Sequence, residues 1–116
     1  LVELVDLYPT LVDLCEIPPK PELQGRSLTP MLSDPESNGK DFAYTVVSRG
    51  KELGRAIRTQ RYRYTSWATG EELYDLVVDP SEETNLAKRA NAEETIMQMR
   101  KNLDQIEFMA TAKNRR

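Results

Sequence analysis

The sequence predicts an α+β fold, a small four-stranded antiparallel sheet packed by a long C-terminal helix. Two observations predict it. From Phe42 the apolar residues follow a period of two through "FAYTVVSRG", "GRAIRTQRYRYTSW" and "ELYDLVV", segments rich in β-branched and aromatic side chains and separated by short turns. From Ala90 the chain carries neither Gly nor Pro and sets Ala92, Ile96, Met99, Leu103, Ile106 and Ala110 at three- and four-residue steps, which is one stripe of a helix. Such a stripe needs a cover, and the aromatic face of the sheet supplies one.

The first segment, "LVELVDLYPTLVDLCEIPPKP", opens with a short apolar stretch and places Leu7, Leu11, Leu14 and Cys15 on one helical face. Asp6 is positioned to cap that helix, Pro9 is tolerated in its first turn, and Pro18, Pro19 and Pro21 stop it. Cys15, on the apolar stripe, is expected to be a buried structural thiol. A turn of helix is expected around Thr29 to Leu32, followed by an exposed loop from Asp34 to Asp41, rich in Ser, Gly, Asn and Pro, that marks the domain boundary.

Within the sheet, Gln60-Arg61 as a two-residue turn sets Thr59 opposite Tyr62, Ile57 opposite Tyr64 and Arg58 opposite Arg63. If Ala68-Thr69-Gly70 is the next turn, Arg63 faces Asp75, Tyr64 faces Tyr74 and Tyr62 faces Leu76. This register gathers Ile57, Tyr62, Tyr64, Tyr74 and Leu76 on the core face and aligns Arg58, Arg63 and Asp75 on the other. A slip of one residue would move every side chain to the opposite face. After the sheet, "DPSEETNLA" offers Asp79 as an N-cap, Pro80 at the first helical position and Glu82 as the acid of a capping box, so a short helical turn is expected. The tail "KNRR" is expected to fray.

Composition narrows the function. The 116 residues suffice for one small domain with a modest core. A net charge of −3 removes bulk attraction to nucleic acid or acidic membranes, and no apolar run approaches the roughly 20 residues of a membrane span. The chain has no histidine, hence no Ser-His or Cys-His nucleophile pair, and its one cysteine cannot form an internal disulfide. The opening Leu1-Val2-Glu3-Leu4-Val5 reads as the interior of something larger.

The stretch "GRAIRTQRYRYTSW" superficially resembles a stacking platform for single-stranded nucleic acid. Strand alternation argues against that, because it sends the tyrosines and Arg58/Arg63 to opposite faces. Two arginines opposed across a hairpin repel and require an acid or bound anion; Asp75 is one candidate, and an acid of a neighbouring domain another. Arg49, in a turn, is a substrate-side candidate. The adjacent acid pairs Glu71-Glu72, Glu82-Glu83 and Glu93-Glu94 fit caps and solvated faces. No zinc, EF-hand or P-loop spacing occurs.

Three pieces in this order resemble the C-terminal part of the sulfatase family of the alkaline-phosphatase-like superfamily: "VELVDLYPTLVDLCEIPPKPELQGRSLTPML", "AIRTQRYRYTSW" and "ELYDLVVDPSEETNLA". The middle piece is most similar to the iduronate-2-sulfatase branch and its bacterial relatives. The resemblance implies a parent sulfuric ester hydrolase, acting on sulfated carbohydrate, with a formylglycine nucleophile and calcium in a catalytic domain absent from this sequence. Cys15 is followed by Glu16-Ile17-Pro18-Pro19 and does not match the formylglycine motif Cys/Ser-x-Pro-x-Arg. On this reading residues 1–33 are the last strand and helix of the α/β catalytic domain, 34–41 a linker, and 42–116 the C-terminal subdomain. The fragment would carry no catalytic or metal-binding residue; Arg58, Arg63 and Asp75 would be structural and Arg49 substrate-binding. Its partners would be its own catalytic domain and sulfated carbohydrate, with neither nucleic acid nor membrane, and a fragment could dimerise through an exposed strand at Val2 to Val5. A periplasmic, secreted or lysosomal location follows by resemblance. The alternatives are a phosphodiesterase or phosphonate hydrolase of the same superfamily, or a free-standing interaction module.

Overall fold

A computed structural model describes residues 1–113, with side chains placed as far as Phe108. The expectations for Ala110 and for the fraying of the tail lie outside the described side chains. The chain divides into two compact units, Leu1–Ala43 and Tyr44–Arg116.

In the first unit, residues 1–3 lead into a 3-10 turn, Leu4–Asp6, and then helix α1, Leu7–Leu14. No strand stands at the expected Val2 to Val5; Glu3 has extended dihedrals, and the 3-10 turn Leu4–Asp6 follows it at once. The Asp6 side chain is not the cap of α1. Fully buried, it turns back to accept the Glu3 N–H at 2.9 Å and reaches across to the Arg26 N–H at 2.8 Å and Lys40 Nζ at 2.7 Å. Lys40 also pairs with Glu3, so the end of the expected exposed loop is tied to the start of the unit.

The buried side of α1 also departs from expectation. Thr10 and Val12 are buried, whereas Leu7, Leu11 and Leu14 are each more than half exposed and Cys15 is exposed. Cys15 is therefore not a core thiol. The polar residues won the inward face because they have partners: the Thr10 hydroxyl donates to the Asp6 carbonyl at 2.6 Å and accepts the Leu28 N–H at 2.9 Å. Helix α2, Thr29–Ser33, stands at the expected turn. Gly25 passes so close to the first turn that an added Cβ would lie 2.0 Å from the Val5 carbonyl oxygen. No flexible side chain can yield there, so Gly25→Ala is expected to destabilise this unit by about 2 kcal/mol or more. Faster hydrogen exchange at the Arg26 amide, with the second unit unchanged, is the check.

The second unit holds strands β1 (Ala43–Arg49), β2 (Glu52–Arg58), β3 (Tyr62–Trp67) and β4 (Gly70–Asp75), in the sheet order β1-β2-β3-β4. A 3-10 turn, Ala90–Ala92, enters helix α3, Glu93–Lys113. The core is Ile57, Tyr64 and Leu73 of the sheet against Ala92, Ile96, Met99 and Leu103, with Tyr44, Tyr62 and Ile106 packed at its margin. The helical stripe thus covers the sheet as its spacing predicts.

The β2–β3 register is the expected one, Ile57 opposite Tyr64 and Arg58 opposite Arg63. Gln-Arg is not a favoured two-residue turn, but here Thr59 closes it. The Thr59 N–H donates to the Tyr62 carbonyl at 2.8 Å and its hydroxyl accepts the Tyr62 N–H at 2.9 Å. The β3–β4 register differs by one residue: Arg63 faces Tyr74, Tyr64 faces Leu73 and Tyr62 faces Asp75. Trp67 pairs with Gly70, so the turn is the two residues Ala68-Thr69 and Gly70 belongs to the strand. Leu73, not Tyr74, is consequently the core residue.

Beyond β4, Leu76 to Val78 leave the sheet in a turn, and the expected helical turn at "DPSEETNLA" is a non-helical loop. Asp79 caps this loop, accepting the N–H groups of Glu83 and Thr84 at 3.1 and 2.8 Å. Glu82 has a left-handed φ of 57° and does not close a capping box. The loop then seals the edge of β4. Asn85 Oδ1 accepts the Leu73 N–H at 3.0 Å, and the Leu86 N–H donates to the Leu73 carbonyl at 2.8 Å. These bonds satisfy backbone groups that an edge strand would leave open.

Candidate functional site

The arginine-rich hairpin is the part of the sequence with the most chemistry. On the face toward α3, Arg55 Nη1 reaches Glu107 at 2.8 Å, and Tyr44 donates to the same carboxylate. One step along, Tyr64 donates a short hydrogen bond to Glu71, whose Oε1 also accepts Arg100 Nη2 at 2.7 Å. The Tyr64 hydrogen bond and, against the effect of burial, Arg100 hold the Glu71 carboxyl below its usual pKa. Burial, reinforced by Glu71, raises that of the Tyr64 phenol. These groups fasten the helix to the sheet.

Arg61, in the turn, donates from Nε and Nη2 to Asp75 Oδ2 at 3.0 and 2.8 Å and lies 5.0 Å from the Tyr62 ring centroid. The Arg61 hydrogen bond keeps the nearly buried Asp75 carboxyl below its usual pKa. Asp75 thus serves Arg61 and not Arg63, because the register slip turns it toward the α3 face. On the opposite face Arg63 pairs with Glu82 and stacks 5.4 Å from the ring of Tyr74. Glu82 was legible in the sequence only as a cap; its left-handed backbone turns the carboxylate to the sheet instead.

Arg58 and Arg49 remain. Arg58 is exposed beside Arg63, and among the described residues none of the ion pairs involves it. Arg49 is exposed at the end of β1, its guanidinium 4.7 Å from the Trp67 ring centroid. The structure therefore separates the predicted residues: Arg63 and Asp75 belong to different ion pairs on different faces, and Arg58 and Arg49 present cations with no acid of the described chain.

Residues 1–109 match the family described as N-sulphoglucosamine sulphohydrolase, C-terminal. The chain belongs to this family of sulfatase C-terminal domains. It is 39% identical over 108 residues to the Delta 4,5-hexuronate-2-O-sulfatase of Bacteroides thetaiotaomicron, a match covering 86% of this chain and 22% of that protein. The solved structure of a 2-O GAG sulfatase superposes with a TM-score of 0.82 at 33% identity, over 95% of this chain and 25% of that one. The phosphonate monoester hydrolase of Agrobacterium radiobacter shares the fold with a TM-score of 0.75 at 27% identity, over 90% of this chain and 24% of that one. This sulfatase C-terminal chain thus spans about a quarter or less of the length of these relatives.

Among the described residues, no group of three or more His, Cys, Asp or Glu side chains is placed to hold a metal ion. Calcium and formylglycine, which the family implies, do not fit the residues present: Cys15 stands exposed in Cys-Glu-Ile-Pro-Pro, with neither a proline two places on nor an arginine four places on. No described helix is long and apolar enough to cross a membrane.

Proposed function

We propose that this chain is the C-terminal part of a sulfuric ester hydrolase acting on sulfated carbohydrate, and that it braces the catalytic domain of the parent protein without itself performing chemistry. The observation that carries this reading is the match over residues 1–109, supported by 39% identity to a hexuronate-2-O-sulfatase. Surface chemistry supports the bracing role. Leu4, Leu7, Leu11 and Leu14 leave a large apolar surface in water along the first turns, as expected of a helix whose cover lies elsewhere in the protein. In the parent, calcium and a formylglycine would belong to the catalytic domain, and the location would be periplasmic, secreted or lysosomal.

Arg58 is the brace on the sheet. Arg63, directly opposite, is neutralised by Glu82, which leaves Arg58 to pair with a carboxylate of the catalytic domain. Where the catalytic domain buries that hydrogen-bonded charge pair, removing one member costs about 2–5 kcal/mol. Arg58→Ala in the full-length protein is accordingly expected to lower yield and melting temperature several-fold more clearly than it changes KM in the protein that survives. A raised KM at unchanged melting temperature would reverse the assignment. The function itself is tested by sulfate release from sulfated uronic acid–glucosamine disaccharides by the full-length protein; phosphonate or phosphodiester turnover without sulfate release would replace it with the superfamily alternative.

A further inference from the structure

The tip of the β1–β2 hairpin holds the one arginine of the sheet that is stacked on an aromatic ring and paired with no acid of the described chain. Gly50, at the turn, has a φ of +65° and open space around its missing side chain. Arg49 and Lys51 flank it, both exposed, and neither belongs to an ion pair among the described residues. The nearby Glu52 accepts the Thr69 hydroxyl at 3.3 Å.

Beneath Arg49, the benzo half of the Trp67 indole lies flat across Gly54, where any Cβ would sit 2.5 Å from ring carbons. The indole N–H is shielded from water and has no hydrogen-bond partner. The ring is therefore placed by flat contact over the glycine and not by a polar tether. Arg49 rests on this ring at 4.7 Å. Its guanidinium is in none of the ion pairs of the described residues, so its N–H fork is available to recognise an oxyanion through two parallel hydrogen bonds. An arginine held on a ring also loses less side-chain freedom on binding than one free in solvent.

We infer that Arg49, stacked on Trp67 over Gly54 and aided by Lys51, forms an anion subsite that binds a sulfate group of the saccharide. This rests on the proposed function for the class of ligand but not for its geometry. The subsite is a binding one and touches no reacting bond.

Trp67 is the single tryptophan of the chain, so its indole resonance and fluorescence report on this point alone. Titrating the 116-residue chain with a sulfated uronic acid–glucosamine disaccharide should shift the Trp67 indole signal saturably. Arg49→Ala should weaken that response about tenfold or more, the scale of a charged hydrogen-bond pair, and Arg49→Lys should fall between. The desulfated disaccharide, which keeps its carboxylate, should give no saturable shift, and Gly54→Ala should disturb the indole and the response together. An absent response, one unchanged by Arg49→Ala, or one equal for the desulfated sugar overturns the inference. Failure of the proposed function would look different, as a full-length protein that releases no sulfate while the titration behaves as expected.

Discussion

Replacing Asp6 by alanine is expected to cost the first unit about 3 kcal/mol and to open its Glu3 and Arg26 amides to exchange, while β2 and β3 exchange as before. The carboxylate has no exposed surface and serves two backbone N–H groups and one ammonium. Alanine would leave all three donors without it. The figure sits at the low end of what a broken buried pair costs because the Lys40 side chain keeps 19% of its surface in water and retains Glu3. Asp6→Asn, of equal size, preserves part of the hydrogen bonding and should fall between.

The same group predicts a pH dependence. Burial works to raise the Asp6 pKa, but the hydrogen bonds from Lys40, Arg26 and Glu3, with the Lys40 charge, outweigh it and hold the carboxyl below its ordinary 3.8. A carboxyl depressed by folding stabilises the fold fully above its unfolded pKa and loses that contribution as pH falls through the folded value. The first unit should therefore be insensitive to Asp6 titration from neutrality down to about pH 4 and weaken below it. Asp6→Asn should flatten that acid limb.

Where the sequence was readable, a periodic pattern met a surface that rewarded it. The α3 stripe and the Ile57–Tyr64 pair were legible because both sides of the contact lie in this chain. The α1 stripe was equally periodic, yet its leucines face outward. Periodicity says that a face is apolar, not what covers it, and three of the partners of Asp6 and Thr10, namely Leu28, Arg26 and Lys40, lie 18 to 34 residues away in sequence. Cys15 lies on the same stripe and is exposed with the leucines. The β3–β4 slip has a different origin: Ala68-Thr69-Gly70 supports a two- or a three-residue turn, and a difference of one residue exchanges Leu73 with Tyr74 at the core.

That slip also decides what the arginines are for. With Asp75 turned to the α3 face, Arg61 takes it, and Arg63 is left for Glu82, an acid that only a left-handed backbone in the following loop brings to the sheet. The stretch that resembled a stacking platform is thus largely neutralised by the chain's own acids. Of that stretch, Arg58 alone among the arginines is in none of the ion pairs of the described residues and is the one proposed to meet the catalytic domain; Arg49, proposed to meet ligand, lies outside the stretch at the end of β1.

Tyr64→Ala should be the most damaging single change in the second unit, at about 3–5 kcal/mol, on the scale of large-to-small aromatic substitutions in cores. Tyr64 is completely buried between Ile57 and Leu73 under α3, and its hydroxyl ends on Glu71. A unit of this size has a total stability of roughly 4–10 kcal/mol, so the loss would take most of the margin. Tyr64→Phe separates the two contributions. It keeps the ring and removes only the phenol, and Glu71 still receives Arg100, so the expected loss is about 1 kcal/mol. Urea unfolding followed through Trp67 would read both: a midpoint shift for Phe several times smaller than for Ala places the weight in packing, whereas equal shifts would place it in the Tyr64–Glu71–Arg100 chain. The first outcome is expected, because the hydroxyl's partner keeps a second donor while the ring has no substitute.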